Sequence, residues 1–421
     1  MKKFIPEFIL SLYHRCLSPV AAFWYGRPSR KLVVIGVTGT NGKSTVVDLT
    51  HKIFAAAGYR VASASSVRFI IDDREWQNDL KMTMPGRFFL QKFLWQALQK
   101  KCDTVILEVT SEGIKQSRER AIEFDVAALT NVTPEHIESH GGFHRYLAAK
   151  KKLFRELARS RKPHKAIVIN GDDPHVEQFL KFLPENAWVY GLYLKEGAYT
   201  HEVKPQTCFV RHDAIHLTYQ KIDFNLRLRG EFNAYNALCA LTIALSRGID
   251  ISVARAALES SGGVAGRLEY VQEKPFSVVV DYAHTPDALT KVYGSLKPHT
   301  KRLICVLGAA GGGRDKWKRP EMGKIASKFC DDIILTDEDP YDEEPASILE
   351  DIKKGIEKKM PEVLLDRKEA IATAIKKAQA GDTVIITGKG SEPWMMARGG
   401  KKIPWDDREI ARKILSEVPK T

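Results

Sequence analysis

The apolar positions of this chain recur with two periods. Short aliphatic runs at Leu32–Ile35, Thr104–Glu108, Val126–Thr130 and Ala166–Ile169 read as buried strands. Between them, stretches such as Val46–Ala57 and Arg145–Ala158 repeat with a helical period. Strand–helix alternation predicts a largely parallel sheet with helices on both faces and ligand-binding loops at the strand C-terminal ends. Residues 200–228 break the pattern. Their shorter alternating segments, Cys208–Val210 and Ile215–Tyr219, predict an antiparallel excursion. The Gly/Ser stretch from Ser260 to Gly266 then reads as a linker. Beyond it a second α/β pattern starts, with strands at Ser277–Val280, Arg302–Leu307, Asp332–Leu335 and Thr383–Thr387. Helices are expected around Lys316–Phe329, Glu344–Lys358 and Lys368–Ala378. The expected fold class is α/β: an N-terminal amphipathic helical segment over 1–31, a central mostly parallel sheet domain over 32–262, and a smaller Rossmann-like α/β domain over 263–421. No repeat or low-complexity tract interrupts it.

Phe4, Ile5, Phe8, Ile9, Leu12, Cys16 and Leu17 give the first segment one apolar helical face behind Lys2 and Lys3. Glu7, His14 and Arg15 make it too polar to span a bilayer, and no small-residue cleavage site marks it as a signal peptide. Two readings stay open: a helix docked on its own domain, and a peripheral contact with anionic lipid.

Hydrophobic residues are 44% and charged residues 28% of 421 positions, which suits folded cores in two or three domains and excludes a disordered chain. The cysteines Cys16, Cys102, Cys208, Cys239, Cys305 and Cys330 are scattered without a Cys-x-x-Cys pair, so reduced thiols in the cytoplasm are expected, and no zinc site. The net charge of +13 fits an acidic substrate, an anionic membrane or nucleic acid and does not choose among them.

Chemistry enters at the first strand. Val33 to Val37 leads into Thr38-Gly39-Thr40-Asn41-Gly42-Lys43-Ser44-Thr45. Glycines at 39 and 42 let backbone N–H groups approach phosphate oxygens, and a helix N-terminus adds its dipole. Lys43 would bridge the β- and γ-phosphates of ATP and Ser44 would ligate Mg²⁺. A general phosphate loop has Gly five residues before Gly42, where this chain has Val37. Glu108, at the tip of an apolar strand, is a natural second metal ligand.

This compact loop resembles that of the Mur ligases. A second block, Leu129 to His140 followed by Tyr146 to Phe154, resembles the same family, and within it the type that adds the third residue of the peptidoglycan stem peptide (the MurE type). The resemblance implies that His136 holds a second Mg²⁺. It also implies that Lys150 is carbamylated by CO₂, which turns a cation into an anionic metal ligand. Gly230 to Leu238 resembles the adenine segment, with Asn233 at the base edge. Arg267 would stabilise the triphosphate, and Asp281, in Asp281 to Ala288, would lie on the ribose side. Gly308 to Pro320 resembles the Gly-rich turn of the C-terminal domain. Gly388 and Glu392 would hold the amino group of the incoming amino acid. On the acceptor side, Thr83 and Pro85 match the segment that binds the muramoyl peptide, and Thr110, Ser111 and Arg118 fall at further contacts. Glu112 stands where the family has His.

The implied activity is ATP-dependent amide-bond formation. An acceptor carboxylate on a muramoyl peptide or similar compound becomes an acyl phosphate, which the amine of a free amino acid then attacks. The expected partners are these substrates, with no nucleic acid, and the expected state is a monomer. Two departures qualify this. Only about thirty residues precede the phosphate loop, where the family carries a uridine-diphosphate-binding domain. The Arg that reads the far carboxylate of meso-diaminopimelate is replaced by Tyr341, in Glu338-Asp339-Pro340-Tyr341. Asp339, with Glu338 and Asp342, then predicts a negative loop that favours a cationic far end such as lysine. Rival readings are a folylpolyglutamate- or cyanophycin-type ligase and a basic nucleic-acid-binding ATPase. The blocks at 281–288 and 388–392 argue against the first, and the lack of an RNA-binding or zinc-finger motif against the second.

Overall fold

A computed structural model describes residues 7–80, 82–195, 197–357 and 359–417, without the side chains of residues 7–12. Helix α1 spans Glu7–Trp24. Lys2, Lys3, Phe4 and Ile5 lie outside the described residues, as do the side chains of Phe8, Ile9 and Leu12, so the face of α1 is seen only from Tyr13 onward.

Nine strands form the first sheet, in the order Arg74–Gln77, Arg68–Ile71, Val61–Ala64, Thr104–Glu108, Val33–Thr38, Val126–Leu129, Ala166–Asn170, Ala187–Tyr190 and His201–Val203. Only the pairings within the first three of these are antiparallel. Strand β1 (Val33–Thr38) is central, between Thr104–Glu108 and Val126–Leu129, both parallel to it. Its aliphatic run is continuous because both faces are covered: Ile35 and Val37 point into one core, Val34 into the other. Helix α2 (Lys43–Ala56) starts three residues before the expected Val46, because the Gly42 turn opens directly into it. Helix α3 (Arg87–Gln99) follows the acceptor segment. Helix α4 (Ser111–Lys115), helix α5 (Ile137–His140) and helix α6 (Phe143–Arg159) follow the next two strands.

The excursion is antiparallel over Thr207–Val210, Ile215–Tyr219 and Ile222–Leu226. His201–Val203 departs from the expectation. It pairs in parallel with Ala187–Tyr190 and extends the first sheet, because the excursion begins only after this edge is filled. Six strands form the second sheet, in the order Glu269–Gln272, Ser277–Asp281, Thr383–Thr387, Leu303–Leu307, Asp332–Leu335 and Glu362–Val363. All but the first pair run parallel.

One expectation is overturned. Cys305 and Cys330 form a disulfide, with both side chains fully buried. Twenty-five residues separate them. Cys330 closes the helix Lys318–Phe329, which packs into the same core as Cys305 of the neighbouring strand, and sequence spacing carries no trace of that packing. Cys16, Cys102, Cys208 and Cys239 are free.

Candidate active site

The phosphate loop leaves β1 at the centre of the crevice between its two neighbours, where ligands of open parallel sheets bind. The loop is clamped from the strand ends. Asn131 accepts from the Asn41 N–H at 3.0 Å, and the Thr130 hydroxyl donates to the Asn41 carbonyl at 2.6 Å. The Thr40 hydroxyl meets the Tyr146 hydroxyl at 2.9 Å. Gly39 has φ 152°, and a Cβ there would fall 1.8 Å from the Thr130 hydroxyl; at Gly42, φ 83°, it would fall 2.2 Å from Asn236. Both glycines are therefore required by conformation and by close approach. Strand β1 continues through Val37, buried in the sheet, so the shorter loop has no use for Gly at that position.

Lys43 curls over this loop and donates to the Thr40 carbonyl at 2.7 Å. The Ser44 hydroxyl donates to Glu108 at 2.8 Å and lies 2.8 Å from the Ser66 hydroxyl, while the Ser66 N–H also donates to Glu108. These grouped oxygens have the hard-donor chemistry that Mg²⁺ takes. Among the described residues no three His, Cys, Asp or Glu gather as a metal group. Arg267 stacks over Tyr282 at 4.2 Å and reaches within 3.4 Å of Ser66.

The other residues expected at the metals line the same space with different partners. Lys150 is 1% exposed, donates to the Gly39 carbonyl at 2.6 Å and lies over the Tyr146 ring at 4.4 Å. Burial, with the Lys43 charge nearby, pushes its pKa well below the usual lysine range. His136 adopts φ 53° just before α5, 3.7 Å from Glu135. Burial pushes its pKa down to about 4, so the ring is neutral near pH 7, as a metal ligand must be. Burial favours neutral Glu135, but the hydrogen bond with His284 at 3.3 Å and the Lys318 charge help to hold its pKa well below the usual carboxylate range.

Asn233 and Asp281 line the cavity already engaged. Asn233 donates to the Arg229 carbonyl and accepts from Asn236, both at 2.9 Å. The two oxygens of Asp281 accept from the N–H groups of Leu268 and Ala283, both at 2.6 Å. On the acceptor side, Thr83 and Ser111 line the cavity, and Thr110 accepts from the Gly113 N–H as the cap of α4. Arg118 donates to the Met84 carbonyl and so braces the loop that carries Thr83 and Pro85. Glu112 lies 3.3 Å from His140, which holds its pKa down at about 2.

The amino-acid end differs from the expectation. Asp339 does not present a free negative charge. Both its oxygens accept from Lys389 at 2.9 Å, and Lys389, fully buried, also donates to Glu392. Burial opposes the Lys389 charge, and Glu392 and Asp339 outweigh that, so its pKa lies above the usual range. Tyr282 donates to Glu392 at 3.0 Å. Asp342 accepts from the Gly399 N–H, Glu338 is turned inward against Gly388, and Tyr341 hydrogen-bonds Arg314. The loop is of mixed sign, and the argument for lysine loses its basis. Lys389 and Tyr282, which changed this, and Ser66 at the nucleotide end carried no motif of their own, although the first two lie inside family blocks.

The two sheets meet across one cavity of about 930 Å³, lined by the phosphate loop, Glu108, His136, Lys150, Arg267, Arg314, Tyr341 and Glu392. Asn41 donates to Asp287 at 2.8 Å across the junction. Asp315 accepts from the N–H groups of Ile137 and Glu138 at 2.9 and 3.0 Å, and Glu138 in return accepts from the Lys316 N–H.

The family model for the Mur ligase middle domain matches residues 37–244, and that for the Mur ligase, glutamate ligase domain matches residues 266–390. The chain belongs to the Mur ligase family. This ligase is 38% identical over 96% of its length to a UDP-N-acetylmuramyl-tripeptide synthetase of Roseiflexus sp., 82% of which is covered. It is 36% identical over 95% of its length to a UDP-N-acetylmuramoyl-L-alanyl-D-glutamate--2,6-diaminopimelate ligase of Syntrophomonas wolfei, with 81% of that chain covered. A solved structure of a ligase with the latter name is 30% identical, superposes with TM-score 0.61, and matches over 92% of this chain and 78% of that one. The Mur ligase described here is accordingly a MurE-type ATP-dependent amide ligase of peptidoglycan stem-peptide synthesis, in a family that uses ATP and Mg²⁺. Among its described residues no helix is long and apolar enough to cross a membrane.

Proposed function

We propose that this ligase joins the amino group of meso-diaminopimelate to the terminal carboxylate of a UDP-muramoyl dipeptide. The observation that carries the reading is the single cavity into which the phosphate loop, the Ser44–Glu108 pair and the Arg314–Tyr341–Glu392 cluster all open. The acceptor carboxylate attacks the γ-phosphate of ATP, giving an acyl phosphate and ADP; the amine then displaces phosphate through a tetrahedral intermediate. Lys43 and Arg267 offset the charge that develops on the transferring phosphoryl group, and the loop backbone fixes its position. Ser44 and Glu108 would hold Mg²⁺, which would supply further charge neutralisation. A second ion is assigned to His136 and carbamylated Lys150. The neutral amine favoured by burial of Lys150 is the form that reacts with CO₂. The far end of diaminopimelate carries both an amine and a carboxylate, which suits a loop where Arg314 stands beside paired acids. Relatives named for diaminopimelate support the same choice.

The test is phosphate release with UDP-linked and UDP-free muramoyl dipeptides against a panel of amino acids. Release should require acceptor and amino acid together, with kcat/KM higher for meso-diaminopimelate than for lysine. A wild type that prefers lysine would overturn the amino-acid assignment. Lys150→Ala should lower activity about a hundredfold or more, with partial recovery in formate or acetate, whose carboxylates replace the carbamate oxygens. Full activity without rescue would return Lys150 to a structural role.

A further inference from the structure

The outward face of α1 is used by none of the chemistry above. Among the side chains of α1 described from Tyr13 onward, the small ones Ser18, Ala21 and Ala22 are buried, and Ser18 donates to the Ser117 carbonyl at 2.5 Å. Of the apolar side chains described from Tyr13 onward, Leu17 is half-buried, while Val20 is 53%, Phe23 74% and Trp24 76% exposed. A helix whose only task is to cover its own domain buries its large residues and exposes small or polar ones. Here that order is inverted. The neighbouring α3 continues the surface: Phe88 and Trp95 stand exposed with Lys92 on one stripe, and the Trp95 ring lies 6.3 Å from Tyr25, just past the end of α1.

The two segments that form this surface are rich in cations. From Lys2 to Lys31 the sequence carries six Lys or Arg and one acid, Glu7; from Arg87 to Lys101 it carries four and no acid. Arg15, Arg27 and Lys31 are exposed. Arg15 and Arg120 flank an open depression with Cys16 and Pro19. Exposed aromatic rings beside Lys and Arg are the chemistry of a membrane–water boundary, where rings sit at the headgroup level and cations meet lipid phosphates.

We infer that the outer face of α1, continued by α3, lies flat on a bilayer that contains anionic lipid. The length and polarity of α1 suit an in-plane position and not a span. A second copy is a poorer occupant, because a two-fold contact would set the same cations against each other.

The full chain is sedimented with phosphatidylcholine vesicles, with and without phosphatidylglycerol, at low and high salt. Binding should require phosphatidylglycerol and fall as salt rises. The double variant Phe23→Glu, Trp24→Glu should lower the partition roughly tenfold or more. Arg15→Glu with Lys31→Glu should remove most of the phosphatidylglycerol dependence. Both variants should keep the wild-type melting temperature and the wild-type kcat/KM on a soluble acceptor. The inference is overturned by any of three results: no sedimentation of the wild type with either vesicle, variants that sediment like the wild type, or a wild-type dimer that the aromatic variant dissolves while vesicles bind neither protein.

Discussion

The two ends of the cavity are built in opposite ways. At the nucleotide end, a short local segment does most of the work. Gly39 to Thr45 turns tightly out of one strand, and its partners Thr130, Asn131 and Glu108 come from the tips of the two strands that flank it. At the amino-acid end, no segment is sufficient. Asp339, Lys389, Glu392, Tyr282 and Arg314 come from four different loops of the second sheet, and each sets the charge of the next. A backbone cradle tolerates little change because its shape is its chemistry. A side-chain ion cluster can be retuned one residue at a time, so specificity is more readily altered there than phosphate binding.

Lys43→Ala is the hardest test of the nucleotide end. It should lower kcat about a thousandfold, because the transferring phosphoryl group loses a fixed cation. Thermal stability should hardly change, since Lys43 bonds only within its own loop. Phosphate release near the wild-type rate would break the comparison at its stronger end.

Lys389→Met tests the other end. It leaves Asp339 and Glu392 without their shared cation and should destabilise the protein by about 3 kcal/mol in a denaturant titration. The KM for the amino acid should rise while that for ATP stays within about twofold of wild type. Adding Glu392→Gln should recover part of the stability but not the KM. Equal changes in both KM values would mean that the two ends are not separable.

Asp315→Ala addresses the join between them. The first two N–H groups of α5 lose their acceptor, which should lower kcat roughly tenfold through His136, with ATP affinity less affected. Asp315→Asn, which keeps one acceptor oxygen, should fall between the two.

The smallest effect concerns pH. His136 has a folded-state pKa of about 4 against an ordinary value of 6.5, so the unfolded chain binds more protons between these values. Its contribution to stability is complete above pH 6.5 and is lost as pH falls towards 4. In metal-free buffer, His136→Gln should flatten the stability curve over that window by about 1 kcal/mol, a figure discounted for the partial exposure of the ring. A curve of unchanged slope would show that the ring titrates normally.

The sequence by itself determined the strand–loop–helix cradle and the two α/β halves. Continuous aliphatic runs can satisfy their backbones and bury their side chains only in a covered parallel sheet, and a Gly-x-x-Gly-Lys-Ser turn has few other uses at a strand end. It also carried the family blocks from which His136, Lys150 and Arg267 were singled out. Tertiary structure alone decided the rest. Packing of the helix Lys318–Phe329 against the second sheet brought Cys330 to Cys305. Folding of separate loops against one another placed Lys389 between Asp339 and Glu392 and turned an apparently negative loop into one of mixed sign. The docking of α1 decided which of its faces remained open. The reason is physical: periodicity and turn chemistry act between residues near in sequence, whereas charge pairing acts between residues near in space, and only the packed sheet makes those the same neighbours.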